Sequence, residues 1–388
     1  MQSRERLLNA MSLGPVDHTP LLLRFWWLGG ESDNIPFDWR DEVLRVEATT
    51  ALGLDDTLQL EPPLGYVENY IAEQAPGVVS STEVLPAGPG EEFPRLKKTY
   101  HTPDGPLQTV IKLTEDWPRG QDIHLFDDYN IGRMLEPLVK TRDDIRCLRH
   151  LLPDPTPSQL LAFRQRAADL RQQAQRLGVV LDGGWLALGD AAMWLCGMER
   201  ILYGQMDDPQ FLDELLETIF QWEMRRLDWL LEEGIDVLVQ MAWYENTDFW
   251  TPSNYRRLLR PRIEKFFAKA HAHGVKFRYI MTRSWKPYCK DFIEMGVDCL
   301  TGVDPLQDRL DLAEVKRLTG GQICLMGGVN SAIMLSQWTQ SEIRHAVDTA
   351  IRIMSPGGGF ILYPVDAIFN NQPWENVTTL IEAWRELR

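Results

Sequence analysis

The amino-acid sequence predicts a (β/α)8 barrel, because short apolar runs rich in strand-forming residues alternate with longer amphipathic stretches. Continuous apolar runs between helices are typical of parallel strands buried on both faces. Eight such runs suit a closed barrel better than a small doubly wound sheet. We expect residues 1–388 to form one barrel domain. The predicted strands are 19–25, 56–62, 178–184, 235–241, 275–281, 297–303, 322–328 and 358–364.

Helices are predicted between these strands and at both ends of the chain. Pro252 suits the first turn of a helix, and glycines at 234, 274 and 296 follow the ends of others. Residues 1–18 and 365–388 are expected to form helices that close the two ends of the barrel. The internal helices are predicted at 209–233, 252–273, 285–295 and 341–354.

Residues 85–125 interrupt the alternation of strands and helices. This stretch carries several Pro and Gly residues, and two short β-like runs flank the sequence Pro103-Asp104-Gly105. Turn residues between two such runs favour a β-hairpin. We therefore predict a hairpin insertion in the barrel, with no separate domain.

Composition and charge exclude several classes of function. The chain has 40 Lys and Arg against 56 Asp and Glu, a net charge of −16. This balance argues against binding to duplex DNA or an anionic membrane, which needs a concentrated positive face. No apolar run approaches the roughly 18 residues of a membrane span, and the N-terminal stretch lacks a signal-peptide core. With five scattered cysteines, these features predict a soluble cytoplasmic protein.

Polar side chains follow almost every predicted strand. In (β/α)8 barrels the active site lies at the C-terminal ends of the strands, so these residues predict a polar pocket. Any single one could instead cap a helix or fix a loop, and Asp182 and Asp304 are good turn formers. The candidates are Arg24, Gln59, Glu61, Asp182, Gln240, Tyr244, Glu245, Arg283, Asp304, Asn330 and Asp366.

Aromatic residues cluster at the same predicted rim, among them Trp26, Trp185, Trp243 and Tyr363. Some of these must belong to the core. Large aromatic faces with a few placed polar groups suit a planar or methylated small molecule. Neither an HExxH sequence nor another paired His or Cys motif is present.

Four segments resemble the uroporphyrinogen decarboxylase superfamily, which also contains corrinoid-linked methyltransferases. They are RERLLNAMSLGPVDHTPLLLR, WTPSNYRRLLRPRIEKFFAKAHAHGVK, GVDCLTGVDPLQDRLDLAEVKRLTGGQICLMGGVN and GGGFILYPVDAIFNNQPWENVTTLIEAWRE. The resemblance implies a barrel that is often dimeric, with its pocket at the strand C-termini. In the decarboxylases two arginines follow the first strand. Arg24 matches the first of these, Leu28 stands at the second, and an essential Asp would fall near Glu61.

The resemblance also implies a zinc site in the methyltransferases, formed by an HxC motif and a later Cys. Met281, Arg283 and Asp366 occupy those positions here, so we predict no metal. We expect Arg283 and Asp366 to form an ion pair in its place. In this hypothesis Arg283 anchors a substrate carboxylate or stabilises negative charge, Asp366 orients it, and Glu245 or Glu61 transfers the proton.

The leading functional prediction is methyl transfer from a small methylated or aromatic substrate. The acceptor would be a corrinoid carried by a partner protein, with no tightly bound cofactor in this chain. One alternative is a metal-free decarboxylase that acts through Arg24, Arg283 and an acidic residue. Another is a barrel that binds a ligand without catalysis. Predicted partners are a small-molecule substrate, the corrinoid protein and a second copy of the chain.

Overall fold

A computed structural model describes residues 1–28, 30, 32–64, 75–319 and 321–388. Its strands are β1 (Phe25–Trp26), β2 (Thr57–Leu60), β3 (Val79–Leu85), β4 (Arg95–Thr102), β5 (Gly105–Lys112), β6 (Met134–Glu136), β7 (Val180–Ala187), β8 (Val237–Met241), β9 (Lys276–Ile280), β10 (Cys299–Val303), β11 (Cys324–Asn330), β12 (Phe360–Val365) and β13 (Ile368–Phe369). At the centre is a parallel sheet of seven strands in the order β12-β11-β10-β9-β8-β7-β2.

The segment just before β1 closes the sheet into a barrel. Leu21 pairs in parallel with Leu362 of β12, and Leu22 pairs with Asp55 just before β2. The amide of Leu22 donates to the carbonyl oxygen of Leu362 at 3.2 Å, and the amide of Asp55 donates to that of Leu21 at 2.9 Å. Seven of the eight predicted strands are present in the described residues. The eighth predicted segment, 19–25, contributes isolated bridges at Leu21 and Leu22 that complete the ring, and the fold is a (β/α)8 barrel.

Helices surround the barrel, and the four predicted inside the chain are present. The helices are α1 (Ser3–Met11), α2 (Glu42–Ala51), α3 (Asp128–Ile131), α4 (Arg142–Leu148), α5 (Pro157–Leu177), α6 (Gly189–Asp207), α7 (Pro209–Glu232), α8 (Pro252–Asn254), α9 (Arg260–Ala272), α10 (Cys289–Met295), α11 (Leu312–Thr319), α12 (Met334–Gln337), α13 (Gln340–Met354) and α14 (Trp374–Leu387). Thr339 caps α13 reciprocally with Glu342, and a π-helical turn joins α8 to α9. None of the helices in the described ranges is both long and apolar enough to cross a membrane.

One end of the barrel is closed by α1, as predicted. Its residues Leu7, Ala10 and Met11 pack against Leu22 and Val180 in the core inside the barrel. The prediction that the C-terminal helix closes the other end is wrong, because α14 packs on α13 along the outer wall. The C-terminal ends of the strands form the opposite end of the barrel.

The predicted hairpin insertion is part of a larger sheet. Strands β4 and β5 pair in antiparallel fashion around the turn at Pro103 and Asp104, as expected. The structure adds β3 and β6 at the two edges, so the insertion is a four-stranded antiparallel sheet. Most residues of β3 are exposed, and an exposed edge strand lacks the alternating apolar pattern that reveals a strand in a sequence.

Candidate active site

Alternation along the strands shows which polar side chains point into the barrel. On β9, Phe277 and Tyr279 join the core between barrel and helices, whereas Ile280 joins the core inside the barrel. Because successive side chains point to opposite faces, Arg278 points inward. The same rule places Asp182 inside the barrel, two residues after the inward-facing Val180.

Arg278 and Asp182 form an ion pair inside the barrel. Arg278 Nη1 lies 3.2 Å from Asp182 Oδ2, and their side chains are only 10% and 4% exposed. Burial raises the pKa of Asp182, while the charge of Arg278 and the hydroxyl of Thr57 oppose that rise. Asp182 is a predicted site residue. Arg278 was not predicted as a site residue. A charged residue within the apolar run VKFRYIM could have indicated it.

Arg24 lies between two indole rings, nearer than Arg278 to the C-terminal ends of the strands, which form the mouth of the barrel. Its guanidinium carbon is 5.1 Å from the ring centre of Trp26 and 4.7 Å from that of Trp185, which is cation–π geometry. Arg24 Nη1 lies 3.5 Å from Asp366 Oδ1, with the two side chains 22% and 48% exposed. Three predicted site residues, Arg24, Trp26 and Asp366, are therefore together at the mouth.

Tyr363 lies beside both arginines. Its hydroxyl donates to the backbone oxygen of Asp366. Burial raises the pKa of Tyr363 to about 12, although the charges of Arg24 and Arg278 act in the opposite direction. Tyr363 therefore stays a neutral phenol at ordinary pH and brings no negative charge into the mouth.

Two tryptophans form an aromatic wall at the mouth. The rings of Trp185 and Trp243 are 6.2 Å apart and inclined at 42°, and both side chains contact the core inside the barrel. Within the described part of the chain, the buried Nε1 of Trp243 has no hydrogen-bond partner. The mouth thus combines cations with flat apolar surfaces, an arrangement that suits a planar anion.

The predicted ion pair between Arg283 and Asp366 is wrong. Arg283 Nε instead lies 3.0 Å from Asp248 Oδ2, and the Arg283 side chain is 59% exposed. The strand order gives the reason. Arg283 follows β9, whose neighbour β8 leads into the loop of Asp248, whereas Asp366 follows β12, beside the segment of Arg24.

Glu245 and Gln240 lie behind the barrel wall. Gln240 alternates with the inward-facing Val239 and pairs in register with the outward-facing Tyr279. Glu245 is fully buried. It accepts hydrogen bonds from the amide of Gly189 at 2.7 Å, from the Gln240 side chain at 3.3 Å and from the Tyr279 hydroxyl. These contacts engage both predicted residues within the protein, on the side of the barrel wall that faces the helices.

Burial raises the pKa of Glu245 to about 7, because its hydrogen bonds only partly offset the desolvation of the carboxylate. The nearby Asp190 is also fully buried, and its pKa is raised well above the ordinary value. Asp190 accepts hydrogen bonds from the amides of Trp243 at 3.0 Å and Tyr244 at 2.7 Å. The buried acids therefore hold the loop that presents Trp243 to the mouth.

Tyr244 is bound to the insertion. Its hydroxyl interacts with Asp128 of α3, and burial raises the pKa of Tyr244 far above its usual range. Asp128 also accepts a hydrogen bond of 2.6 Å from Trp194 Nε1. A substrate that binds to the Tyr244 hydroxyl, as predicted, would have to replace the contact with Asp128. These contacts connect the loop after β8 to the inserted sheet.

Asp304 and Asn330 fix loops at the rim. Asn330 Nδ2 donates to Asp304 Oδ2 at 2.7 Å, and Asn330 Oδ1 accepts from the amide of Ile333 at 2.7 Å. Asp304 Oδ1 accepts from the amides of Leu306 and Gln307. Both side chains are fully buried and find these partners within the protein, which argues against the predicted contact with substrate.

Two predicted residues come from β2 and the loop after it. Gln59 is half-buried and pairs in register with Asp182, so it belongs to the inward-facing set. Glu61 is half-buried, and its charge helps to raise the pKa of Glu42. The loop continues into residues 65–74, which lie outside the described ranges.

The residues at the family's zinc positions do not fit a metal. Met281 is fully buried in the core, Arg283 is a cation, and Asp366 lies beside a second cation, Arg24. Thiolates and imidazoles are the usual ligands of zinc in such sites. Within the described ranges, no group of three or more His, Cys, Asp or Glu residues could hold a metal ion.

An apolar groove of about 510 Å³ lies on the outer wall, against β11 and α13. It is lined mainly by apolar side chains such as Leu312, Met334 and Trp338. No set of inward-facing charges like that of Arg24, Arg278 and Asp182 converges there among its described lining residues. The barrel mouth is therefore the candidate active site.

A barrel with charged and aromatic side chains at the C-terminal mouth has the architecture of a (β/α)8 enzyme. The sequence model described as uroporphyrinogen decarboxylase (URO-D) matches residues 117–387. The chain belongs to this family, which confirms the resemblance.

The similar uroporphyrinogen decarboxylases share only a low sequence identity with this chain. Uroporphyrinogen decarboxylase of Coxiella burnetii (strain Dugway 5J108-111) is 24% identical over 276 residues, which cover 68% of this chain and 72% of the relative. The enzyme of Legionella pneumophila (strain Corby) is 29% identical over 140 residues, 34% of this chain and 38% of that protein. The chain thus spans little more than a third of the Legionella relative.

Among solved structures, a methyltransferase from Methanosarcina mazei superposes with a TM-score of 0.58 at 17% sequence identity. The match covers 100% of this chain and 99% of the other. It supports the barrel fold over the full length of the chain.

Proposed function

We propose that this protein is an enzyme that removes a methyl group from a small planar carboxylate. The acceptor would be a corrinoid carried by a partner protein. The proposal rests on one observation: Arg24 lies between two indole rings at the barrel mouth, beside a loosely paired, half-exposed carboxylate.

Arg24 would bind the substrate carboxylate. A guanidinium offers parallel N–H donors that match the two oxygens of a carboxylate. The 3.5 Å contact with Asp366 is long for a charge-assisted hydrogen bond, so a bidentate ligand can compete with it. Trp185 and Trp243 then provide flat surfaces for the ring of the substrate.

The chemical step needs stabilisation of negative charge. The bond between the methyl carbon and its heteroatom breaks, the methyl group leaves without the electron pair, and the heteroatom keeps that pair and takes up a proton. The corrinoid supplies the nucleophilic metal that accepts the methyl group. In this chain, Arg24 and Arg278 would stabilise the charge on the substrate, and Trp185 and Trp243 would limit access of water.

Methyl transfer is also supported by family membership and by the full-length superposition on a methyltransferase. The family positions that would hold zinc carry Met281, Arg283 and Asp366. Charge stabilisation would therefore fall to the arginines, which retain their charge at any physiological pH.

The test begins with a panel of benzoates with and without methoxy groups, screened for binding by calorimetry. Methylated ligands that bind are then incubated with cob(I)alamin, and methylcobalamin is followed by its absorbance. We expect Arg24→Ala to lower kcat/KM about 10- to 150-fold, since a hydrogen bond to a charged group contributes about 1.5–3 kcal/mol. Methylated ligands that bind through Arg24 but never transfer a methyl group would overturn the proposal.

Arg40 provides a matched control. Its guanidinium also lies over two indole rings, Trp27 at 4.5 Å and Trp39 at 5.3 Å, and it pairs with Asp33. The Arg40 side chain is 58% exposed. Arg40→Ala should leave methyl transfer unchanged.

Decarboxylation is the second candidate. It is favoured by the uroporphyrinogen decarboxylases among the relatives and by the match of Arg24 to the first arginine of their motif. Release of CO2 from a ligand that binds through Arg24, without any methyl acceptor, would favour this candidate over methyl transfer.

A further inference from the structure

Beneath the mouth, the ion pair of Arg278 and Asp182 leaves two polar atoms without partners. Arg278 Nε and Asp182 Oδ1 are both buried, and neither has a hydrogen-bond partner in the part of the chain that the structure describes. Their other atoms, Nη1 and Oδ2, face each other at 3.2 Å. One donor and one acceptor are therefore unused at the same place.

Such an arrangement is costly to keep without a ligand. A buried donor or acceptor that lacks a partner loses its hydration without compensation, and the loss is larger for charged groups. The neighbouring inward-facing side chains of Val180, Val237 and Cys324 are apolar. The Thr57 hydroxyl interacts with Asp182 but leaves Oδ1 without a hydrogen-bond partner among the described residues. The inward-facing residues towards the mouth include Tyr363 and Arg24, so the unused atoms lie at the floor of the proposed substrate site.

We infer that the substrate carries a hydroxyl group, remote from its carboxylate, that binds to both Arg278 and Asp182. The hydroxyl oxygen would accept from Arg278 Nε, and its proton would be donated to Asp182 Oδ1. The orientation of the ligand rests on the proposed function, because it requires the carboxylate to lie on Arg24. Arg278 and Asp182 are then specificity-determining residues.

The chemistry of the pair selects a hydroxyl over other groups. A hydroxyl is both donor and acceptor at a single atom. A second carboxylate or a methyl ether can accept from Arg278 but has no proton for Asp182. An ammonium group can donate to Asp182 but would be repelled by Arg278.

Calorimetric binding of benzoate, its three monohydroxy isomers and their methyl ethers tests this inference. In the wild-type protein we expect one hydroxybenzoate to bind about tenfold or more tightly than benzoate, as two hydrogen bonds to charged groups allow. The corresponding methyl ether should lose this advantage. In Arg278→Lys the advantage should fall below about threefold, while the affinity for benzoate itself stays within about threefold.

The results separate this inference from the proposed function. If benzoates bind and depend on Arg24, but no hydroxyl isomer binds more tightly than benzoate, the hydroxyl site is wrong and the carboxylate site stands. If no benzoate binds at all, both are wrong. The wild-type comparison alone is decisive if Arg278→Lys fails to fold.

Discussion

The carboxylate of Asp366 lies 3.5 Å from the guanidinium of Arg24, across the seam where the first segment of the barrel meets β12. The seam joins the two ends of the chain, since Arg24 follows the first barrel segment and Asp366 follows the last strand. Both side chains are partly exposed, so their attraction is weakened by solvent. Asp366 therefore holds Arg24 near the mouth without neutralising it tightly.

Asp366→Asn should tighten the binding of carboxylates. The substitution removes an anion that competes with the ligand for Arg24, so we expect the Kd for benzoate to fall about two- to fivefold. Loss of the partner that orients Arg24 should lower kcat at the same time. Calorimetry and steady-state kinetics measure the two effects.

Asp248→Asn is the control for Asp366→Asn, because Asp248 pairs with Arg283 at the outer rim and should not alter the Kd. Weaker binding by Asp366→Asn would show that Asp366 contacts the substrate directly.

Arg283→Ala should have little effect on ligand binding. Arg283 is largely exposed and pairs with Asp248, and exposed pairs contribute about 0–1 kcal/mol to stability. We expect a benzoate Kd within twofold of the wild-type value and a small decrease in Tm. A tenfold weaker Kd would restore Arg283 as the anchor of the substrate carboxylate.

Trp185→Leu should weaken carboxylate binding about two- to sixfold. Trp185 lies 4.7 Å from Arg24, and a cation–π contact contributes about 0.5–1 kcal/mol. Trp185→Phe keeps an aromatic face and should retain part of the affinity. Trp338→Leu, in the groove on the outer wall, is the control. Equal losses in the Trp185→Leu and Trp338→Leu variants would indicate general destabilisation of the barrel.

The positions of the strands were predictable because each lies in a short, mainly apolar run. The pairing of charges was not, because it depends on which strands are neighbours after the barrel closes. Arg283 and Asp366 both follow strands, yet β9 and β12 are separated by β10 and β11. Gln240 also lies near the C-terminal end of a strand. Because side chains alternate along β8, it points towards the helices and not into the barrel.

Glu245 should make stability depend on pH. Its pKa in the folded protein is about 7, raised by burial, so between its ordinary pKa and about pH 7 the folded state binds more protons than the unfolded state. The free energy of unfolding should therefore decrease as the pH rises from about 4.5 to 7. Urea unfolding at several pH values should show a flatter profile for Glu245→Gln.

The exposed Glu92 provides the control for Glu245, and Glu92→Gln should follow the wild-type pH profile. A profile of Glu245→Gln that matches the wild type would show that Glu245 does not carry this pH dependence.

The pair of Arg278 and Asp182 should be needed for selectivity and not for folding. Asp182→Leu alone leaves a buried, unpaired guanidinium and should lower the free energy of unfolding by about 3–5 kcal/mol. The double variant Asp182→Leu with Arg278→Met removes both charges, and apolar replacement of a buried pair is often neutral or stabilising. We expect its unfolding free energy to return close to the wild-type value in urea titrations. The double variant should show no preference for a hydroxybenzoate over benzoate, because it lacks both Arg278 Nε and Asp182 Oδ1. A double variant as unstable as the single one would instead assign this pair a structural role.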